Sequence, residues 1–126
     1  MAPKSIIDRV GEKNFTLEDF QERISDEESN MLHIVDVYTG WCGPCNALVP
    51  TLQGLQLKVE SFEDRCSFTQ VDRKLYPEYA ERFSETSKPR FLFYKAGQEV
   101  AFIEGVKGPA LLQTIQENLH PLTDED

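Results

Sequence analysis

The sequence predicts an α/β domain with one mixed β-sheet and helices on both of its faces. Three observations predict it. Met31 to Tyr38 is a run of apolar, β-branched and aromatic residues broken by Asp36, as in a central strand covered on both sides. Segments with apolar residues at helical spacing alternate with short strand-like runs. Near the end, Arg90–Tyr94 and Glu99–Ile103 flank the loop Lys95-Ala96-Gly97-Gln98 and read as an antiparallel hairpin. The resulting order is β-α-β-α-β-α-β-β-α.

Taken in order, Lys4–Val10 is short, with Ile6 and Ile7 its consecutive apolar pair, and reads as the first strand. Thr16-x-x-Asp19 resembles a capping box, and Leu17, Phe20 and Ile24 fall on one helical face. Ser25 to Asn30 breaks that period as a solvated loop. After the central strand, Leu48, Leu52, Leu55 and Val59 recur at helical spacing from Gly43 to about Val59, with Pro50 inside, where it kinks the helix. Cys66–Asp72 alternates as a strand, and Tyr76, Tyr79, Ala80 and Phe83 trace a short helix opened by Pro77. Leu111, Leu112, Ile115 and Leu119 form one face of a last helix.

A chain of 126 residues has room for a single core, and the domain is expected over 1–122 with an acidic tail at 123–126. No apolar run approaches the ~18 residues of a membrane span, and the N-terminus lacks the pattern of a signal peptide, so a reducing intracellular setting is expected. Thirteen basic against 22 acidic side chains leave a net charge of −9, which disfavours nucleic acid and anionic lipid and favours a partner with a basic or neutral patch. Three cysteines are too few, and odd in number, for a secreted disulfide framework.

Two of them stand in Trp41-Cys42-Gly43-Pro44-Cys45, between the central strand and the following helix. Cys-x-x-Cys in a reducing compartment means redox chemistry or half a zinc site. The second needs two further ligands, and His33, His120 and Cys66 have no ligand-like spacing; no metal or other cofactor is expected. At a helix start, free backbone N–H groups and the helix dipole favour a thiolate, which makes Cys42 the attacking nucleophile. Cys45, one turn in, is the resolving thiol. Asp36 is the candidate acceptor of its proton, directly or through a water, its pKa raised by burial; a strand aspartate held by local bonds is the other reading. Trp41 offers either a docking shoulder for a partner or packing. Gly43 and Pro44 allow the tight turn. Cys66 opens a strand and reads as an inert core cysteine rather than a redox sensor.

Val35-Asp36-Val37-Tyr38 leading into Trp41–Cys45, Pro50, Asp72, Pro89 before Phe91-Leu92-Phe93, and Gly105 before the last helix together resemble the thioredoxin family over essentially the whole length. The resemblance implies the thioredoxin fold, a redox-active Cys42–Cys45 disulfide and a cis Pro89 lying against the dithiol. It also implies a substrate- or partner-binding surface drawn from Trp41, Gly43, Pro44, Lys88, Pro89, Arg90 and Gly105. Residues 35–45, 91–94 and 97–105 further resemble the thioredoxin-type light chains of axonemal outer-arm dynein, and the thioredoxin domains joined to nucleoside diphosphate kinase modules in cilia. That implies a dynein heavy chain and other dynein subunits as partners, in the cytoskeleton of a cilium or flagellum. A free cytosolic thioredoxin, recycled by thioredoxin reductase, is the alternative.

Departures from the family pattern surround the dithiol. Asn46 stands where a lysine is usual, Lys88 and Arg90 flank the proline, and Phe68 falls about where the family places a lysine near the buried aspartate. Lys88 and Arg90 either assist Cys42, fit an acidic partner, or are solvated surface charges.

Overall fold

The computed structural model of the chain describes residues 7–12, 14–38, 54, 57–84, 90–105 and 108–119. Five strands form one sheet in the order β1-β3-β2-β4-β5: β1 Ile7–Arg9, β2 Leu32–Tyr38, β3 Cys66–Asp72, β4 Arg90–Lys95 and β5 Gln98–Glu104. β3 runs parallel to both β1 and β2, whereas β4 is antiparallel to β2 and to β5. The sheet is therefore mixed, with the apolar strand β2 at its centre as expected.

Helices cover both faces. α1 (Leu17–Ser25) starts in the predicted capping box: the Asp19 amide donates to Thr16 Oγ1 at 3.0 Å and the Thr16 amide to Asp19 Oδ2 at 2.9 Å. Such a cap is worth about 1 kcal/mol. Its buried stripe, Phe20 and Ile24, meets α3 (Pro77–Arg82) and the odd-numbered positions of β2 and β3 in a cluster with Val10, Val35, Val37, Val71, Tyr79, Phe83, Leu92 and Tyr94. On the opposite face, α4 (Gly108–Asn118) lays Leu111 and Ile115 against Leu32, Ile34, Phe68, Phe91 and Phe93, with Val59, Phe62 and Cys66 closing the cluster. Each large side chain buried in this way contributes about 1.5–3 kcal/mol.

Pro77 opens α3 at a position where its missing N–H is no loss. The loop between β4 and β5 shortens to the pair Ala96-Gly97, with φ of 52° and 80°, the positive values that match a hairpin's twist. A Cβ at Gly97 would come within 3.0 Å of Ser25 O and Glu27 Cγ, so the hairpin tip presses on the end of α1 and only glycine fits.

Five features differ from the sequence reading or fall outside the described residues. The first strand is described only over Ile7–Arg9, its earlier residues lying outside. A four-residue helix, α2 (Phe62–Arg65), precedes β3 where the sequence suggested none; four residues are too few to show a period. Arg73–Leu75 form a 3-10 turn capped by Asp72, whose Oδ1 accepts from the Lys74 amide at 3.0 Å. Of the long helix expected from Gly43 to about Val59, Gly54, Leu57 and Lys58 are helical, Val59 is already in a bend, and 43–53, 55 and 56 lie outside the described residues. The tail at 123–126 also lies outside them.

Candidate functional site

Cys42 and Cys45, with Trp41, Gly43, Pro44, Lys88 and the cis peptide expected at Pro89, fall outside the described residues, as do Asn46 and His120. What is described is the strand that leads toward them and the chemistry on it.

Asp36 lies in the middle of β2 with no solvent exposure. It pairs across the sheet with Gln70 of β3 on one side and Phe91 of β4 on the other, and Gln70 pairs in turn with Arg9 of β1. Because these residues share one register row and one face, three polar side chains stand side by side. Arg9 donates to Gln70 Oε1 from Nε at 3.1 Å and from Nη2 at 2.8 Å. Gln70 Nε2 donates to Asp36 Oδ2 at 3.1 Å. Asp36 Oδ1 has no hydrogen-bond partner among the described residues.

Burial outweighs the other influences on this carboxyl. Removal from water pushes it up to about 7, against the Gln70 hydrogen bond and the attraction of Arg9, both of which favour the ionised form. A carboxyl poised there can take up or release a proton near neutral pH. Arg9 and Gln70 are functional candidates that sequence reasoning missed. The place expected for a cation, Phe68, is instead in the apolar core with its ring edge toward Phe91, 6.2 Å between centroids. The positive charge arrives from β1, through an amide.

Arg90 opens β4 on the other face. It pairs with Val37, its guanidinium lies 5.0 Å from the centre of the Phe83 ring, and its Nε is 3.5 Å from Glu104 Oε2. At 4% exposure it is buried, so the reading of it as a solvated surface charge does not hold: stacking on Phe83 takes its stem out of water. Gly105 follows β5 with φ of 94°, a left-handed turn that only glycine enters without strain.

Cys66 is buried at the start of β3, and burial pushes its thiol up to about 12, far from a reactive thiolate. His33 is held between two hydroxyls, its Nδ1 2.6 Å from Ser67 Oγ and its Nε2 3.1 Å from Ser29 Oγ. Burial, and then the nearby Arg23 charge, lower it to about 4, with Asp26 opposing. Among the described residues no group of three or more His, Cys, Asp or Glu side chains could hold a metal ion, and no helix is long and apolar enough to cross a membrane.

Comparison with known proteins agrees with this architecture. The thioredoxin family profile, described as Thioredoxin, matches residues 12–117. A solved structure of thioredoxin NaTrxh from Nicotiana alata superposes with a TM-score of 0.70 at 25% identity, covering 95% of this chain and 98% of that one. The dynein 14 kDa light chain of the flagellar outer arm of Chlamydomonas reinhardtii is 36% identical over 97 residues, 72% of this chain and 68% of that protein. Human thioredoxin domain-containing protein 6 is 35% identical over 104 residues, 82% of this chain. The chain spans only between 16% and 62% of the length of three of the curated relatives it matches. With the mixed sheet, the helices on both its faces and a family match over most of its length, the chain belongs to the thioredoxin family.

Proposed function

We propose that this chain is a thioredoxin-type light chain of a ciliary or flagellar outer-arm dynein, bound to a heavy chain and to other dynein subunits in the axoneme, with a dithiol that makes the motor responsive to redox state. One observation carries the redox half: a fully buried carboxyl poised near pH 7 on the strand that leads into Cys42. The dynein half rests on the likeness to the Chlamydomonas light chain. The domain then occupies 1–122, and 123–126 is an acidic tail.

In this reading the Cys42 thiolate attacks a partner disulfide, forms a mixed disulfide and releases one partner thiolate. Cys45 passes its proton to Asp36 and attacks Cys42 sulfur, releasing the second partner thiolate and leaving the Cys42–Cys45 disulfide. The partner gains two electrons and the dithiol loses two. Trp41, Gly43, Pro44, Lys88, a cis Pro89 and Gly105 supply the surface against which the partner lies; Arg90, buried against Phe83, is not part of it.

A second reading is favoured by the likeness to the Nicotiana thioredoxin: a free cytosolic reductant of many protein disulfides, recycled by thioredoxin reductase. Fractionation distinguishes the two. A light chain stays with salt-washed axonemes and brings down a heavy chain under reducing conditions; a wholly soluble protein rapidly recycled by thioredoxin reductase overturns that role. Cys45→Ser should trap mixed disulfides through Cys42. Equal trapping by Cys42→Ser would reverse the assignment of attacker and resolver.

A further inference from the structure

Arginine has five N–H donors and no acceptor, and this constraint propagates across the sheet. The amide atom facing Arg9 has to be Oε1, because both Arg9 contacts, at 3.1 and 2.8 Å, come from donors. The Gln70 amide is thereby locked in one of its two orientations. The atom facing Asp36 is then Nε2, which can only donate, so Oδ2 can only accept, whatever the protonation state of the carboxyl. When Asp36 is neutral its proton sits on Oδ1, the oxygen that has no partner among the described residues.

We propose that Gln70, clamped by Arg9, is a positioning residue for Asp36: it holds Oδ2 as a fixed acceptor and reserves Oδ1 as the oxygen that takes up and releases the proton. The role of that proton in thiol exchange rests on the function proposed above; the orientation and its effect on Asp36 do not. A free carboxyl can carry its proton on either oxygen and rotate between them. Here the choice is made 27 and 34 positions away in sequence, by the parallel pairings that set Arg9, Gln70 and Asp36 in one row. The arrangement also tunes the group. The amide donor and the Arg9 charge both favour the carboxylate, which keeps a group with no solvent exposure within reach of neutral pH. Other charged or titratable groups near the row are Glu12, 3.5 Å from Arg9, and Tyr38 at the end of β2, which senses Arg9 and the carboxylates of Asp72, Glu12 and Asp36.

The test is a carbon-13 NMR titration of the Asp36 carboxyl in the full chain with its thiols reduced. Gln70→Leu removes the donor to Oδ2 and should raise the Asp36 midpoint by about 1–2 pH units, the size of a hydrogen bond to a charged group. Arg9→Met should raise it by less, Arg9→Lys should restore part of the difference, and Arg9→Met should have a smaller effect when added to Gln70→Leu than on its own, because only the charge of Arg9 and no longer its hold on the amide then reaches Asp36. A Gln70→Leu midpoint unchanged from the parent overturns the proposal, and so do fully additive effects of the two substitutions. The Arg9 side chain is 41% exposed, so its variants keep the measurement available if Gln70→Leu does not fold; an unchanged midpoint in Arg9→Met then overturns the clamp. Insulin-disulfide reduction by the parent chain is measured alongside. A chain whose Asp36 midpoint moves as expected but which reduces no disulfide retains the clamp and loses the redox function.

Discussion

Asp36 and His33 lie three positions apart on β2, both buried and both titratable, and they face opposite sides of the sheet. His33 has a hydroxyl on each ring nitrogen, whereas Asp36 has one oxygen engaged and one without a partner among the described residues. A buried polar group whose every atom is satisfied stabilises one arrangement; a buried group with an atom left open is costly. The difference separates a histidine that holds β2 to β3 from a carboxyl available for proton traffic.

The two groups also pull stability in opposite directions with pH. Asp36 is raised from 3.8 to about 7, so between those values the folded chain holds a proton that the unfolded chain has lost. Its cost is absent below about pH 4 and complete above about 7. His33 is lowered from 6.5 to about 4, so its cost is absent above 6.5 and grows as pH falls toward 4. At about 1.4 kcal/mol per pKa unit each swing is on the order of 3–4 kcal/mol, and in the parent the two largely offset one another. Urea unfolding of Asp36→Asn should show stability rising from pH 4 to 6.5, and His33→Gln should show it falling from pH 4 to 7. Slopes of the same sign would break the contrast.

A smaller effect sharpens the His33 side. Ser67→Ala strips the 2.6 Å partner from Nδ1 and leaves a buried nitrogen unpaired, which should cost about 1–3 kcal/mol in chemical denaturation. A negligible loss would mean that satisfaction of the ring is not what makes His33 structural. The smallest effect belongs to a polar pair with access to water. Arg82 meets Glu99 at 2.6 and 2.8 Å with both side chains about a third exposed, and Arg82→Ala should lower stability by less than about 1 kcal/mol. Geometry as good as that around Asp36 is worth less where solvent competes.

The sequence discloses what rests on local pattern and hides what rests on pairing. β3 runs from Cys66 to Asp72 and the α1 cap sits at Thr16 and Asp19, as their patterns predict, because alternation and the capping box are carried by neighbouring residues. Asp36 stands out as one carboxylate in an apolar run. Gln70 does not: it shares the side of the strand with Cys66 and Phe68 and is 3% exposed, but nothing next to it in sequence marks its role. Only the register with Asp36 and Arg9 shows its use. Arg90, beside Pro89, invites a reading as a charge at the dithiol face; the pleat turns it to the face opposite Asp36, beneath Phe83. Ala96 occupies a left-handed position that its own propensity argues against, because the two-residue turn requires it.

The strand order sets a schedule for synthesis. β2 leaves the ribosome before β3, its parallel neighbour, and well before β4, its antiparallel one. Until residues 90–95 emerge, one edge of the apolar strand from Leu32 to Val37 has no backbone partner, and the helix α4 that covers Ile34 does not yet exist. An unpaired apolar edge is the form in which chains stick to one another. The nascent chain is most in need of a chaperone from the completion of β2 until β3 and then β4 arrive, when the strand that will be the best protected in the finished protein is the least protected in the growing one.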